Sequence, residues 1–289
     1  MRFPFSGKVA VITGGAGGIG FALAERFARE GMTIVLSDVE EISLNAAAER
    51  LRAGGVEVMT AVTDVAQTDA VERLAQTVAD RYGGAQLLCN NAGIVPSGRS
   101  RPVWEFAVED WHWALNVNLM GVVHGIRSFV PRMIASGEPC HVVNTASTAG
   151  LISGMRSAVY STSKHAVVRV SEALYAALQD GDYPIGTTVL CPGLVNTAIY
   201  QSERNRPADL VPGEGIATEL ADLAGRASQG MAPGLVADKV FRAIVDRQFY
   251  LVTTDAYDGL IRDRSDALLA RRNPTFADVF TVASHVPNP

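Results

Sequence analysis

The sequence predicts an α/β fold in which a doubly wound parallel sheet of about seven strands carries helices on both faces, and three observations predict it. Short β-branched runs alternate with longer segments of helical period from Lys8 to about Leu190, the mark of βαβ units around a parallel sheet. Several of the helical segments end at a glycine, Gly31, Gly54 or Gly83, where a left-handed C-cap is expected. With 48% hydrophobic and 19% charged residues, the 289-residue chain has enough apolar material for a large core and too little charge for disorder.

Taken in order, the strands are expected at residues 9–13, 33–37, 56–61, 86–90, 141–145 and 187–190, each a short run rich in Val, Ile, Leu or Thr. Helices are expected between them, among them 19–30, 43–53 and 67–82, and right-handed crossovers would stack them on both faces. Segments 111–133 and 160–178 are helical and apolar on more than one face. After Thr197 the pattern dissolves into residues 201–234, rich in Pro, Gly, Asp, Glu and Arg, before a helix near 236–247 and a last short strand at 249–252. One domain over 1–289 follows, with a mobile substrate lid at about 198–234 and a C-terminal extension at about 253–289. In such a sheet, ligands bind beyond the carboxyl ends of the strands.

Charge and cysteine usage narrow the class of partner. The formal charge of −5, from 25 basic and 30 acidic residues, contains no basic stripe that could neutralise a phosphate backbone, so nucleic acid is disfavoured and a small molecule expected. Cys89, Cys140 and Cys191 are scattered singly, without zinc-site spacing or a disulfide framework, which points to a reducing, cytoplasmic compartment. No leader-like segment precedes the first strand and no run reaches the roughly 18 apolar residues of a membrane span. None of the five histidines has ligand spacing with carboxylates or cysteines, so no metal is expected.

Strand 9–13 runs into Gly14-Gly15-Ala16-Gly17-Gly18-Ile19-Gly20 and then a helix, placing bare N–H groups at a helix N-terminus, where a pyrophosphate can bind. Three glycine spacings fit, at 15, 17 and 20, at 14, 17 and 20, or at 14, 18 and 20, and the sequence does not choose among them. A glycine turn serving only helix–sheet packing is the rival reading; the position between strand and helix disfavours it. The second strand leads to Asp38, 18 residues past Gly20, near the distance at which a carboxylate meets the adenosine ribose hydroxyls. That carboxylate would repel a 2′-phosphate, and residues 35–41 hold no Arg or Lys to relieve it, so NAD is the expected cofactor.

Tyr160 and Lys164 stand four apart at the start of a helix, which places phenol and ammonium on one face. A free phenol has a pKa of about 10, so ionising it near neutrality needs about 4 kcal/mol of stabilisation, which a neighbouring cation can supply. Thirteen residues before Tyr160, at a strand end, Ser147 could hydrogen-bond the same substrate oxygen.

With these motifs the chain resembles the short-chain dehydrogenase/reductase family from about Lys8 to Thr197: Thr13-Gly14-x-x-x-Gly18-Ile19-Gly20, Asp64-Val65, Asn90-Asn91-Ala92-Gly93, Asn118, Ser147, Tyr160-x-x-x-Lys164 and Pro192-Gly193-x-Val195-x-Thr197. The resemblance implies a Rossmann-type sheet. It implies that Thr13, Gly14, Gly18, Ile19 and Gly20 hold the pyrophosphate, Asp38 the ribose, Asp64 and Val65 the adenine edge, and Asn91, Ala92 and Gly93 the cofactor beside the central strand. Pro192, Gly193, Val195 and Thr197 would flank the nicotinamide. Asn118, chosen over Asn116 because Leu119-Met120-Gly121 follows it, would interrupt its helix and hold a water linking Lys164 to solvent. Tyr160 would move the hydroxyl proton while hydride passes between substrate carbon and NAD, with Ser147 fixing the oxygen.

The runs from Asn91 to Gly98, Asn118 to Gly121 and Asn144 to Ser147 are similar to bacterial Cα-dehydrogenases of lignin-type aryl ether alcohols. Leu151, Ile152, Met155, Ile199 and Tyr200, with Ser147, would form an apolar pocket for a bulky hydrophobic or aromatic secondary alcohol, aryl carbinol or hydroxysteroid-like. The resemblance also implies a homodimer or homotetramer joined through 111–133 and 160–178. A nucleotide-sensing regulator without turnover would lack part of the Ser147, Tyr160 and Lys164 set, which is whole here. An epimerase or dehydratase of the extended branch would carry a larger C-terminal domain than the tail after Thr197 provides.

Overall fold

In a computed structural model of the chain, the described residues are 3–96, 102–152, 158–210, 225 and 227–276. Seven parallel strands, β1 (Val9–Thr13), β2 (Thr33–Asp38), β3 (Val58–Val62), β4 (Leu87–Asn90), β5 (Cys140–Thr145), β6 (Ile185–Cys191) and β7 (Tyr250–Val252), form one sheet in the order β3-β2-β1-β4-β5-β6-β7. β1 pairs with β2 on one side and β4 on the other, so the winding reverses there and opens a crevice above Thr13. The helices are α1 (Gly18–Arg29), α2 (Glu41–Ala53), α3 (Thr68–Tyr82), α4 (Val108–Ala114), α5 (Gly121–Ser136), α6 (Ala158–Asp180), α7 (Pro233–Asp246) and α8 (Asp258–Leu269).

Alternation along β1 divides the core. Ala10 and Ile12 pack with Phe27 of α1, Leu44 of α2 and Val240 of α7, whereas Val9 and Val11 pack with Leu74 of α3, Phe129 of α5 and Leu178 of α6 on the other face. Each large apolar side chain buried this way contributes about 1.5–3 kcal/mol relative to exposure. The sheet is thereby held as a rigid base for the strand ends.

Element boundaries differ from the sequence expectation where a turn or a cap decides them. Gly31 and Gly83 take the expected left-handed φ of 79° and 78°, but Gly54 does not; Gly55 does, with φ 80°. The Val56 amide therefore folds back onto the Leu51 carbonyl at 3.2 Å, and β3 starts at Val58 instead of residue 56. Pro233, whose missing N–H costs nothing in a first turn, starts α7 three residues before 236. Between α4 and α5 the chain adopts a π-helical stretch, Leu115–Met120, with Asn118 inside it. Residues 211–224 and 226 of the expected lid, 277–289 of the C-terminal extension, and Met155 lie outside the described residues.

Candidate active site

A cavity of about 830 Å³ lies beyond the carboxyl ends of the central strands, and its wall runs from the glycine loop past Asp38 and Asp64 to Tyr160 and Lys164. At the loop, steric need separates the three glycine spacings. A Cβ on Gly14, which has φ +65°, would lie 2.8 Å from Ala92 Cα, one on Gly20 would lie 2.0 Å from the Gly14 carbonyl, and one on Gly18, at φ +53°, would lie 3.0 Å from Thr197 Cγ2. A Cβ on Gly17 would meet nothing within 4 Å. The spacing at 14, 18 and 20 is therefore the one the fold requires. Gly17 caps α1 without a side chain, leaving that helix's first N–H groups for another acceptor.

Thr13 and Asn91 brace this loop. The Thr13 hydroxyl accepts from the backbone of Asn91 at 3.0 Å and Ala92 at 3.1 Å, and Asn91 Nδ2 donates to the Thr13 carbonyl at 3.0 Å. Thr13 is buried and lies behind the cavity wall, whereas Gly14, Gly18, Ile19, Asn91, Ala92 and Gly93 form part of it. At the end of β2, the Asp38 carboxylate accepts from the Ala16 amide at 3.0 Å and the Glu40 amide at 3.1 Å, which fixes it on the wall. Asp64 and Val65 also reach the wall; the Val65 carbonyl is held at 2.9 Å by Nδ1 of buried His124, whose Nε2 meets the Thr68 hydroxyl at 2.9 Å.

Asn118 is fully buried and acts as a strut. Its Oδ1 accepts from the Ile94 amide at 2.8 Å, while Nδ2 donates to the Ile94 carbonyl at 3.0 Å and to Ser163 Oγ at 2.9 Å. Ser163 Oγ in turn donates to the Tyr160 carbonyl at 2.7 Å, tying the start of α6 to the segment after β4. Asn116 lines the cavity, and Asn118 does not.

The Ser147 side chain stands close enough to the Tyr160 phenol to act on its proton affinity. Ser147 is positioned by capping the short turn Thr148–Gly150, its Oγ accepting from the Ala149 amide at 3.1 Å. Burial pushes the Tyr160 phenol well above its ordinary range, and nearby Tyr200 adds to this while the Ser147 side chain opposes it. Lys164, 2% exposed, is pushed down to about 8 by loss of solvent, so it remains mainly protonated at neutral pH. Its Nζ donates to the Thr145 carbonyl at 2.9 Å and lies 5.7 Å from the centre of the Tyr160 ring. Gly93 leaves space for that ammonium group, since a Cβ there would stand 3.2 Å from Nζ.

Farther along, Pro192 and Thr197 line the cavity, while Gly193 and Val195 do not. Gly193 donates to Thr253 Oγ1 at 3.2 Å and Val195 forms a bridge with Met231. Of the expected pocket, Ile199 reaches the wall; Ser147, Leu151, Ile152 and Tyr200 stay off it, Leu151 packing against the cluster of Val122, Val167 and Val189.

The sequence reading missed two groups. His112, Trp113 and Asn116 form one face of α4 and the π stretch on the wall, a periodicity that also reads as ordinary packing. A short helix, Ala198–Asn205, brings Arg204 and Asn205 to Glu40 on the opposite rim. Just beyond it, Arg206, its side chain 4% exposed, bonds Asp110 Oδ1 at 2.6 Å and Glu203, with its guanidinium 4.4 Å above the Trp113 ring. Among the described residues no group of three or more His, Cys, Asp or Glu could hold a metal ion, and no helix is long and apolar enough to cross a membrane.

The glycine cradle and the strand-end carboxylate suit a dinucleotide, and comparison with known proteins agrees with that class. The short chain dehydrogenase family model matches residues 8–208, and the chain belongs to that family of oxidoreductases. It is similar to a short chain dehydrogenase/reductase from Burkholderia phymatum solved in complex with NAD, with a TM-score of 0.90, 40% identity, and coverage of 96% of this chain and 99% of that one. It is 38% identical to the 1-deoxy-11-beta-hydroxypentalenate dehydrogenase of Streptomyces avermitilis, over 85% of this chain and 84% of the relative. With the C alpha-dehydrogenase of a Sphingobium species it shares 33% identity over 86% of this chain and 81% of the relative.

Proposed function

We propose that the chain is an NAD-dependent dehydrogenase that interconverts a bulky hydrophobic or aromatic secondary alcohol and its ketone. The observation that carries this reading is the Tyr160 phenol beside the buried Lys164 ammonium, both on the wall of a cavity that continues to the glycine loop, with the Ser147 side chain close to the phenol. When bound, the nicotinamide accepts or returns the hydride and brings a positive ring charge to the pocket. Gly14, Gly18, Ile19 and the open first turn of α1 would hold the pyrophosphate, Asp38 the ribose, Asp64 and Val65 the adenine edge, and Pro192 and Thr197 the nicotinamide end. Thr13, Asn91, Gly20, Gly193 and Val195 would keep those walls in place.

Ser147 and Tyr160 would grip one substrate oxygen, and Tyr160 would take or give its proton. Because burial raises the phenol, its ionisation demands more than the roughly 4 kcal/mol needed to bring a free tyrosine to neutrality, and the Lys164 charge in a dry pocket opposes that cost. Both amide protons of Asn118 are committed to Ile94 and Ser163, so in this reading its relay water is held by the backbone carbonyl. Relatives named as hydroxypentalenate and Cα dehydrogenases support alcohol oxidation, and Ile199 on the wall supports an apolar substrate. We read the chain as one domain working in the cytoplasm as a homotetramer or homodimer joined through residues 111–133 and 160–178, and the three free, buried cysteines suit a reducing compartment.

The test pairs a panel of aryl carbinols, hydroxysteroids and aliphatic secondary alcohols with Tyr160→Phe. The variant should bind NADH as the parent does and lose turnover by several orders of magnitude; a turnover within about tenfold of the parent would refute the assigned role.

A further inference from the structure

Residues 35–41 contain no Arg or Lys, but the fold brings a cation there from 164 residues away. Arg204 lies on the cavity wall with Asp38, Glu40 and Ser43. Its Nη1 donates to the Gln201 carbonyl at 2.7 Å, which holds the guanidinium to its own helix, and its Nη2 reaches Glu40 Oε1 at 2.5 Å. Asn205 Nδ2 donates to the same oxygen at 2.7 Å, and Ser43 Oγ to Oε2 at 3.2 Å. The Glu40 amide donates to Asp38 Oδ1 at 3.1 Å, so this cluster adjoins the carboxylate assigned to the adenosine ribose.

An arginine beside that ribose is the usual partner of the NADP 2′-phosphate, which a guanidinium can grip through two parallel hydrogen bonds. Here the arginine is already engaged by a carboxylate. We infer that Glu40 is a positioning residue for cofactor choice: by holding Arg204 it withdraws a cation that would otherwise bind the 2′-phosphate, and it adds a second negative charge beside Asp38. Burial raises the Glu40 carboxyl, but the bonds from Asn205 and Arg204 and the Arg204 charge outweigh it and hold the group below the ordinary range, so it stays ionised at neutral pH. Glu40 makes no side-chain cap to α2, so its replacement does not remove a helix cap. The inference rests on the reading that Asp38 faces the ribose.

Calorimetric titration of NADH and NADPH into the full chain tests both steps without any substrate. Glu40→Gln should tighten NADPH by about tenfold, the scale of one released charge-assisted contact, and move NADH by less than about threefold, the scale of an exposed ion pair. Adding Arg204→Ala to Glu40→Gln should cancel most of the NADPH gain. If Glu40 only pinned the segment in place, Glu40→Gln would weaken both cofactors alike and leave their ratio unchanged, which overturns the inference. Asp38→Asn separates the two failures. Should it relax the preference while Glu40→Gln leaves the ratio alone, only the role of Glu40 falls; should it too leave the ratio unchanged, the ribose assignment falls and the inference with it.

Discussion

Lys164 is a charge held where the fold alone would not want one, and Lys164→Met measures the cost. The ammonium is 2% exposed, and loss of solvent lowers it from 10.5 to about 8. At about 1.4 kcal/mol per decade of proton affinity, keeping it charged costs the folded chain about 3 kcal/mol at neutral pH. Because the folded value lies below the unfolded one, between about pH 8 and 10.5 the unfolded chain binds a proton that the folded chain has released, and stability rises with pH across that window. Methionine fills a similar volume without charge, but it leaves the Thr145 carbonyl without the 2.9 Å bond from Nζ, a loss of about 1 kcal/mol. The variant should therefore be about 2 kcal/mol more stable than the parent at pH 7, and the advantage should vanish by about pH 10.5. Urea unfolding at both pH values would show this as a higher midpoint with an unchanged slope. A variant no more stable than the parent at pH 7 would refute the reasoning, and its turnover should be lost in either case.

Two further changes probe the frame around the site. His141, 2% exposed and pushed down to about 3 by burial, stays neutral in the fold while the unfolded chain takes up a proton below about 6.5, so stability should drop by up to about 5 kcal/mol as pH falls from 6.5 to 3. His141→Gln, which can still bond Thr188, should flatten that fall in a series of melting curves; an unchanged acid slope would show that another group governs it. Arg206→Leu would leave Asp110, 1% exposed, without its cation, at a cost of about 3–5 kcal/mol. Release of the segment from α4 avoids that cost, so trypsin should cut after Arg204 faster than in the parent, and equal cleavage rates would count against the anchoring role.

The sheet was legible because β-branched runs and helical periods alternate over most of the chain, and the strand ends that carry Thr13, Asp38, Asn90 and Thr145 follow from that pattern. What escaped depended on contacts distant in sequence. Gly17 and Gly18 look alike in the motif; the left-handed φ of Gly18 and the approach of Thr197 to it, against open space at Gly17, separate them. Leu151 and Ile199 are equally apolar, yet one faces the core cluster and the other the cavity. The boundary at β3 moved because either of two adjacent glycines could take the left-handed turn, and it is Gly55 that does.

The same distinction bears on the proposed cofactor choice. A local search for a cation near Asp38 finds none, because Arg204 reaches that rim only through the chain's return across the cavity. That return is fastened through Arg204 to Glu40 on the β2 side and through Arg206 to Asp110 on α4, and Ile199, five residues before Arg204, lines the same cavity. A change at either anchor should therefore act on both Arg204 and Ile199, which the proposed function places toward cofactor and substrate. If the proposed reading holds, cofactor preference and substrate preference share one short segment of backbone, and substitutions at Glu40 and Ile199 should be non-additive for that reason.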